Sequence, residues 1–130
     1  MKAETTIKLC GYDVRLRYCA AAETGYEQLS GKSADVFMPD VTRDDEGNVI
    51  DVKTKATTDD YLKLAISAII AAYAREGGQA PITAEDILYE ASPEEIIALI
   101  GKVAEIRNEW YGVPSVIKED GDKGDEPKNG

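Results

Sequence analysis

The chain contains no histidine, which removes the commonest general base and the commonest metal ligand at once. Its 2 cysteines, Cys10 and Cys19, cannot make a familiar zinc site without histidine or further thiols. As small core residues in a reducing compartment they need no partner, and the sequence leaves open whether they pair. Cations are scarce: 15 Lys and Arg stand against 25 Asp and Glu, a net charge of −10. That balance argues against a nucleic-acid backbone or an anionic membrane as partner. No apolar run reaches the roughly 20 residues of a membrane span. The N-terminal MKAETTIKLCG has no long apolar segment of the secretory type, so the expectation is a cytoplasmic protein. Serine and threonine have no histidine to activate them. The carboxylates that can be placed fall on turns (Asp44, Asp45, Glu46), helix starts (Asp59, Asp60, Glu85, Asp86, Glu94, Glu95) or the tail. No catalytic, cofactor or metal site is assigned, and the chain is read as not an enzyme.

What is present is an apolar helix. Tyr61–Ala74, YLKLAISAIIAAYA, is interrupted only by Lys63 and Ser67. Thr57 or Thr58 followed by Asp59 and Asp60 is an N-cap pattern, and Arg75-Glu76-Gly77-Gly78 supplies a stop with glycine for a left-handed position. Leu62, Ile66, Ile69 and Tyr73 form one stripe, and Leu64, Ala65, Ala68 and Ala72 a second, smaller face. A helix apolar nearly all round is buried on more than one side. This is the central helix of the domain.

The other elements follow from period and punctuation. Thr5–Leu9 and Asp13–Arg17 both alternate, with Cys10-Gly11-Tyr12 between them, which predicts an antiparallel hairpin whose apolar face packs on a helix. Tyr18–Leu29 reads as a helix with Tyr18, Ala22, Tyr26 and Leu29 at helical spacing, and Gly25 inside it marks a close packing contact. In the region 35–56, Val36–Val41 against Val49–Lys53 forms a second hairpin around Asp44-Asp45-Glu46-Gly47-Asn48, with Pro39 confining the first arm to an edge. Thr83-Ala84-Glu85-Asp86 starts a short helix to Tyr89, with Ile87 and Leu88 facing in. Ser92-Pro93-Glu94-Glu95 opens a last helix to Trp110, with Ser at N-cap, Pro at N1 and Glu at N3. Its face carries Ile96, Leu99, Ile100, Val103, Ile106 and Trp110. The 4-3-4 repeat Leu99, Val103, Ile106, Trp110 fits a core stripe, and it also fits a partner-binding stripe meeting another subunit. The expected fold is α+β and mainly helical, an N-terminal β-hairpin packed on about four helices. The 130 residues divide into a single domain, 1–117, and a disordered polar tail, 118–130, with no apolar residue to offset chain entropy.

Two segments imitate ligand loops. Gly25–Ser33, GYEQLSGKS, is close to the phosphate-binding GxxxxGK[ST] loop, but has one residue too many between its glycines and follows a helix instead of a strand. The acids at 44–46 suggest calcium, yet a loop with Gly47 at its sixth place would end on Lys53, where a bidentate Glu is required.

The order of elements resembles the phage tail assembly chaperone family. Members open with a hairpin bearing an aliphatic-Gly-aliphatic turn, here Ile7–Leu16, and a helix ending in a Glu-x-Leu-Thr-Gly-Lys-Ser-like phrase. This chain has Glu27-Gln28-Leu29-Ser30-Gly31-Lys32-Ser33, with Ser for Thr. An Ala/Ile-rich helix (Asp59–Arg75), a Thr-x-Glu-Asp helix (Thr83–Tyr89) and an amphipathic last helix (Pro93–Trp110) follow. The resemblance covers about residues 5–112; the insert 34–56 departs from the simplest members. It implies a non-enzymatic cytoplasmic protein that binds the tape measure protein, with tail tube subunits as further partners, and keeps long apolar helices soluble until the tube polymerises. It implies no catalytic residues. In many members a ribosomal frameshift adds a longer C-terminal domain, and the stretch after Ile117 is the natural junction. Leu99, Val103, Ile106 and Trp110, together with whatever of the central helix stays exposed, are the expected contact surface, for a protein partner or for a second copy. Two other functions compete on the same composition: an acidic decoy for a basic nucleic-acid-binding protein, and a structural subunit of the tail itself.

Overall fold

The computed structural model describes residues 3–112. The expected tail at 118–130 and the end of the expected 1–117 domain lie outside the described residues. The fold is α+β and mainly helical. Strands β1 (Ala3–Leu9) and β2 (Tyr12–Tyr18) form the N-terminal hairpin, followed by helix α1 (Ala20–Ser30) and a 3-10 turn at Ala34–Phe37. A second hairpin of β3 (Pro39–Arg43) and β4 (Val49–Thr54) leads to the central helix α2 (Thr58–Ala74), then α3 (Ala84–Glu90) and α4 (Pro93–Tyr111).

The first hairpin turns on Cys10 and Gly11, both at positive φ, 52° and 85°. This is the geometry that two-residue hairpins favour for their twist. Cys10 is the only described residue other than glycine to adopt it. Its backbone N–H donates to the Glu95 carboxylate at 2.9 Å, the same carboxylate that accepts the Ser92 N–H in the capping box of α4. Pairing of Ile7 with Val14 and Ala3 with Tyr18 puts Ala3, Ile7, Leu9, Val14, Leu16 and Tyr18 on one buried face. That face packs on α2 and α4.

The helix expected from Tyr18 starts two residues later. Tyr18 closes β2 instead, and Cys19 is extended (φ −168°, ψ 179°). Tyr18, Ala22 and Tyr26 are still buried, whereas Leu29 is exposed. Gly25 meets α2 closely, as expected: a Cβ there would lie 3.2 Å from Ser67 Oγ and 3.3 Å from Ser67 Cβ. Ser67 Oγ is itself buried without a hydrogen-bond partner among the described residues.

The first arm of the second hairpin is also displaced. Residues 34–37 wind into the 3-10 turn, capped by Ser33 Oγ accepting the Asp35 N–H, and this carries Phe37 into the core between Tyr26 and Tyr61. Pairing therefore begins at Pro39, not Val36. Burying an aromatic ring outweighs the pairing of three more edge residues.

Helices α2, α3 and α4 each begin with a full capping box, Thr57 with Asp60, Thr83 with Asp86 and Ser92 with Glu95. The central helix is buried on both of its expected faces: Leu64, Ala65, Ala68 and Ala72 on one, Ile66 and Ile69 on the other.

Candidate binding surface

The residues expected to meet a partner divide sharply. Leu99, Val103 and Ile106 are fully buried, and only Trp110 is half-exposed, its ring 6.4 Å from that of Tyr18. The stripe is core. The N-terminal hairpin and α2 cover it, so three of the four expected contact residues are out of a partner's reach in the folded chain.

The accessible apolar surface lies elsewhere. The second half of α2, the linker at 78–83 and the start of α3 enclose a partly open apolar groove of about 370 Å³. Its floor is Ile66, Ile69, Ile82 and Ile87, all nearly buried, and Ile70 stands on its rim at 57% exposure. Leu88, expected to face inward, is 59% exposed, and Tyr89 beside it is more exposed still. Only Ile87 of that short helix reaches the core. The groove exists because α2 ends abruptly. Gly77 is left-handed (φ 72°), the Gly78 N–H returns to the Tyr73 carbonyl, and the chain doubles back across the isoleucines.

The rim at Tyr73 is fixed from the hairpin side. The Arg15 N–H donates to the Tyr73 hydroxyl at 3.0 Å, its guanidinium sits 4.6 Å over the Tyr73 ring, and its two terminal nitrogens grip Glu76 at 3.1 and 2.6 Å. A volume of this size is in the lower part of the range of small-ligand sites, and its lining is mainly apolar, with Gln79 and Thr83 as its polar side chains besides the Tyr73 hydroxyl. It offers a docked molecule apolar burial and little directional bonding. That suits a bulky apolar side chain on a partner helix.

The polar clusters are structural. Asp60 is buried and accepts the Thr57 N–H (2.9 Å), the Tyr26 hydroxyl (2.9 Å) and Lys32 Nζ (3.1 Å). Its carboxyl is held down at about 2, chiefly by the Thr57 N–H, with Lys32 and the Tyr26 hydroxyl assisting against burial. Lys32 of the Gly-Lys-Ser phrase is thus an ion-pair partner, Gly31 is the left-handed C-cap of α1 and Ser33 caps the 3-10 turn. In the 44–48 turn, Asp44 accepts the N–H groups of Glu46 and Asn48. Cys10 and Cys19 are unpaired thiols. Burial pushes the Cys10 thiol up from its ordinary value, and Glu95, Asp86 and Glu90 push it further, away from the thiolate a nucleophile needs. Among the described residues no group of three or more acids and thiols is placed to hold a metal ion, and no helix is long and apolar enough to cross a membrane.

Comparison with family models, curated proteins and solved structures gives no match. Of the residues of this apolar surface, Ile70 belongs to neither stripe of the central helix and was covered only by the general expectation that exposed parts of that helix join the contact, and Leu88 was misplaced. An isoleucine left over after both stripes of a buried helix are assigned is the signal that could have found the rim.

Proposed function

We propose that the chain is a non-enzymatic phage tail assembly chaperone, which binds the tape measure protein and keeps it soluble until the tail tube forms around it. The observation that carries this reading is the apolar groove with Ile70 on its rim and Leu88 and Tyr89 exposed on α3. The family resemblance in element order supplies the identity of the partner. An acidic body with a net charge of −10 stays soluble while it presents apolar carbon, which a holding protein requires. The contact surface in this reading is the α2–α3 groove, and Trp110 is the one member of the earlier stripe that remains reachable.

Co-expression with a long apolar helical segment of tape measure type tests it. The wild-type chain keeps the segment in the soluble fraction in moderate salt. Ile70→Asp and Leu88→Asp each weaken capture by at least about tenfold while the far-ultraviolet dichroism of the free chain is unchanged, because both side chains already face water. Capture that vanishes in moderate salt would point to the acidic decoy instead. Capture indifferent to both substitutions would remove the groove from the contact.

A further inference from the structure

The second hairpin stands outside the core. Every residue of β3 and β4 is exposed, whereas the N-terminal hairpin buries one whole face. Register places Val41 opposite Val52, puts Asp40, Thr42, Asp51 and Lys53 on the other face, and shifts between Thr42 and Arg43, where Ile50 is left unpaired in a bulge. Val41, Ile50 and Val52 are 42%, 63% and 58% exposed. A two-stranded hairpin wet on both faces is marginal in water, and further strands with a shared apolar face change that. Among the described residues β4 pairs only with β3, so its outer edge is open.

We propose that a second copy of this chain pairs on the outer edge of β4, antiparallel, about a two-fold axis through Val52. A two-fold interface joins the same patch of both copies, so the edge must be complementary to itself. The order Asp51-Val52-Lys53 meets that condition in one register. With Val52 on the axis it faces its own copy, Asp51 faces Lys53 of the partner subunit, and Lys53 faces the partner's Asp51. Centring the axis on Asp51 or on Lys53 puts like charges face to face, which is destabilising across strands. A half-step between residues pairs opposite faces of the pleat. The edge of β3 has no such solution, since an axis through Val41 sets Asp40 against Thr42 and Pro39 against Arg43.

Within one chain Asp51 and Lys53 make only an exposed contact at 3.6 Å, so both are free to be re-paired. The product is a four-stranded sheet, β3–β4 followed by its two-fold copy. One face of it carries Val41 and Val52 from both subunits. This inference does not depend on the chaperone reading or on the α2–α3 groove.

Sedimentation equilibrium over a concentration series of the full chain tests it. The wild type associates to a dimer of twice 14.1 kDa. Asp51→Lys and Lys53→Asp each weaken the dimer by at least about tenfold, because each substitution creates two like-charge contacts. An equimolar mixture of the two variants dimerises again, since the new lysine at position 51 then faces the new aspartate at position 53. A hairpin unfolded by either change would not recover on mixing. In a Cys10→Ala, Cys19→Ala background, Val52→Cys forms an interchain disulfide on mild oxidation and Thr42→Cys does not. A monomeric wild type, a dimer indifferent to both charge reversals, or no cross-link at position 52 overturns the proposal.

Discussion

Val103→Asp unfolds the domain at room temperature. Val103 is fully buried in α4, between Leu99 and Ile106 on the face that the N-terminal hairpin and α2 cover. The nearest cation, Arg107 one turn away, has a buried Nε with no hydrogen-bond partner among the described residues, but its guanidinium is held against the rings of Phe37 and Tyr111 and by Met38, and meeting a carboxylate at 103 would break that packing. Burying an unpaired charge and losing an aliphatic side chain together cost more than about 4 kcal/mol, a large part of what a domain of this size has to lose. Urea unfolding and near-ultraviolet dichroism would show it directly, with Val103→Ala as the milder reference at about 2 kcal/mol. A folded Val103→Asp monomer that had lost only its partner would return the stripe to the surface.

Asp60→Ala has the second largest effect. It removes the reciprocal cap of α2, the acceptor of the buried Tyr26 hydroxyl and the partner of Lys32 in one step. The cap is worth about 1 kcal/mol and the stranded hydroxyl about 1–3 kcal/mol, so a loss of about 3 kcal/mol in urea unfolding is expected. Asp60→Asn keeps the shape and an acceptor oxygen and loses less. The carboxyl also sets an acid limit. Because its folded value lies near 2 against an ordinary 3.8, its ionised form contributes stability that is fully present above 3.8 and is lost as pH falls through 2. That gap corresponds to about 2 kcal/mol. The stability difference between wild type and Asp60→Asn should therefore narrow as pH falls from about 4 to 2. A constant difference across that window would mean that Asp60 is not ionised in the fold.

Most elements were legible because their ends are written locally. Ser92-Pro93-Glu94-Glu95, Thr83 with Asp86 and Thr57 with Asp60 are caps whose chemistry needs no tertiary information, and all three helices start where those residues place them. The Cys10-Gly11 turn and the alternation around it gave the first hairpin for the same reason. The misses are tertiary. Phe37 leaves the strand pattern because a slot between Tyr26 and Tyr61 exists only once α1 and α2 have met. Leu88 turns outward because α3, with only Ile87 anchored, has a single core contact to give. The stripe on α4 could not be assigned from its own residues. Leu99, Val103 and Ile106 repeat in the same way whether the cover is a hairpin of the same chain or another subunit, and only the path of β1 decides between them. The groove was illegible for a related reason, since its walls are apolar positions that a buried helix carries in any case.

The carboxylate of Glu95 ties the Cys10 turn to the first turn of α4, across a separation of 85 positions. The earliest hairpin of the chain thus finds its cover in the last helix. During synthesis β1 and β2 leave the ribosome well before α4 exists, at about 5–20 residues per second. Until then Ile7, Leu9, Val14 and Leu16 have only part of the surface they bury against. A nascent chain arrested at Glu90 should accordingly be cut by protease throughout, and one extended past Gly112 should resist. The topology makes closure of this domain a late, nearly all-or-none event, slowed by the long loop that must be ordered before its ends can meet.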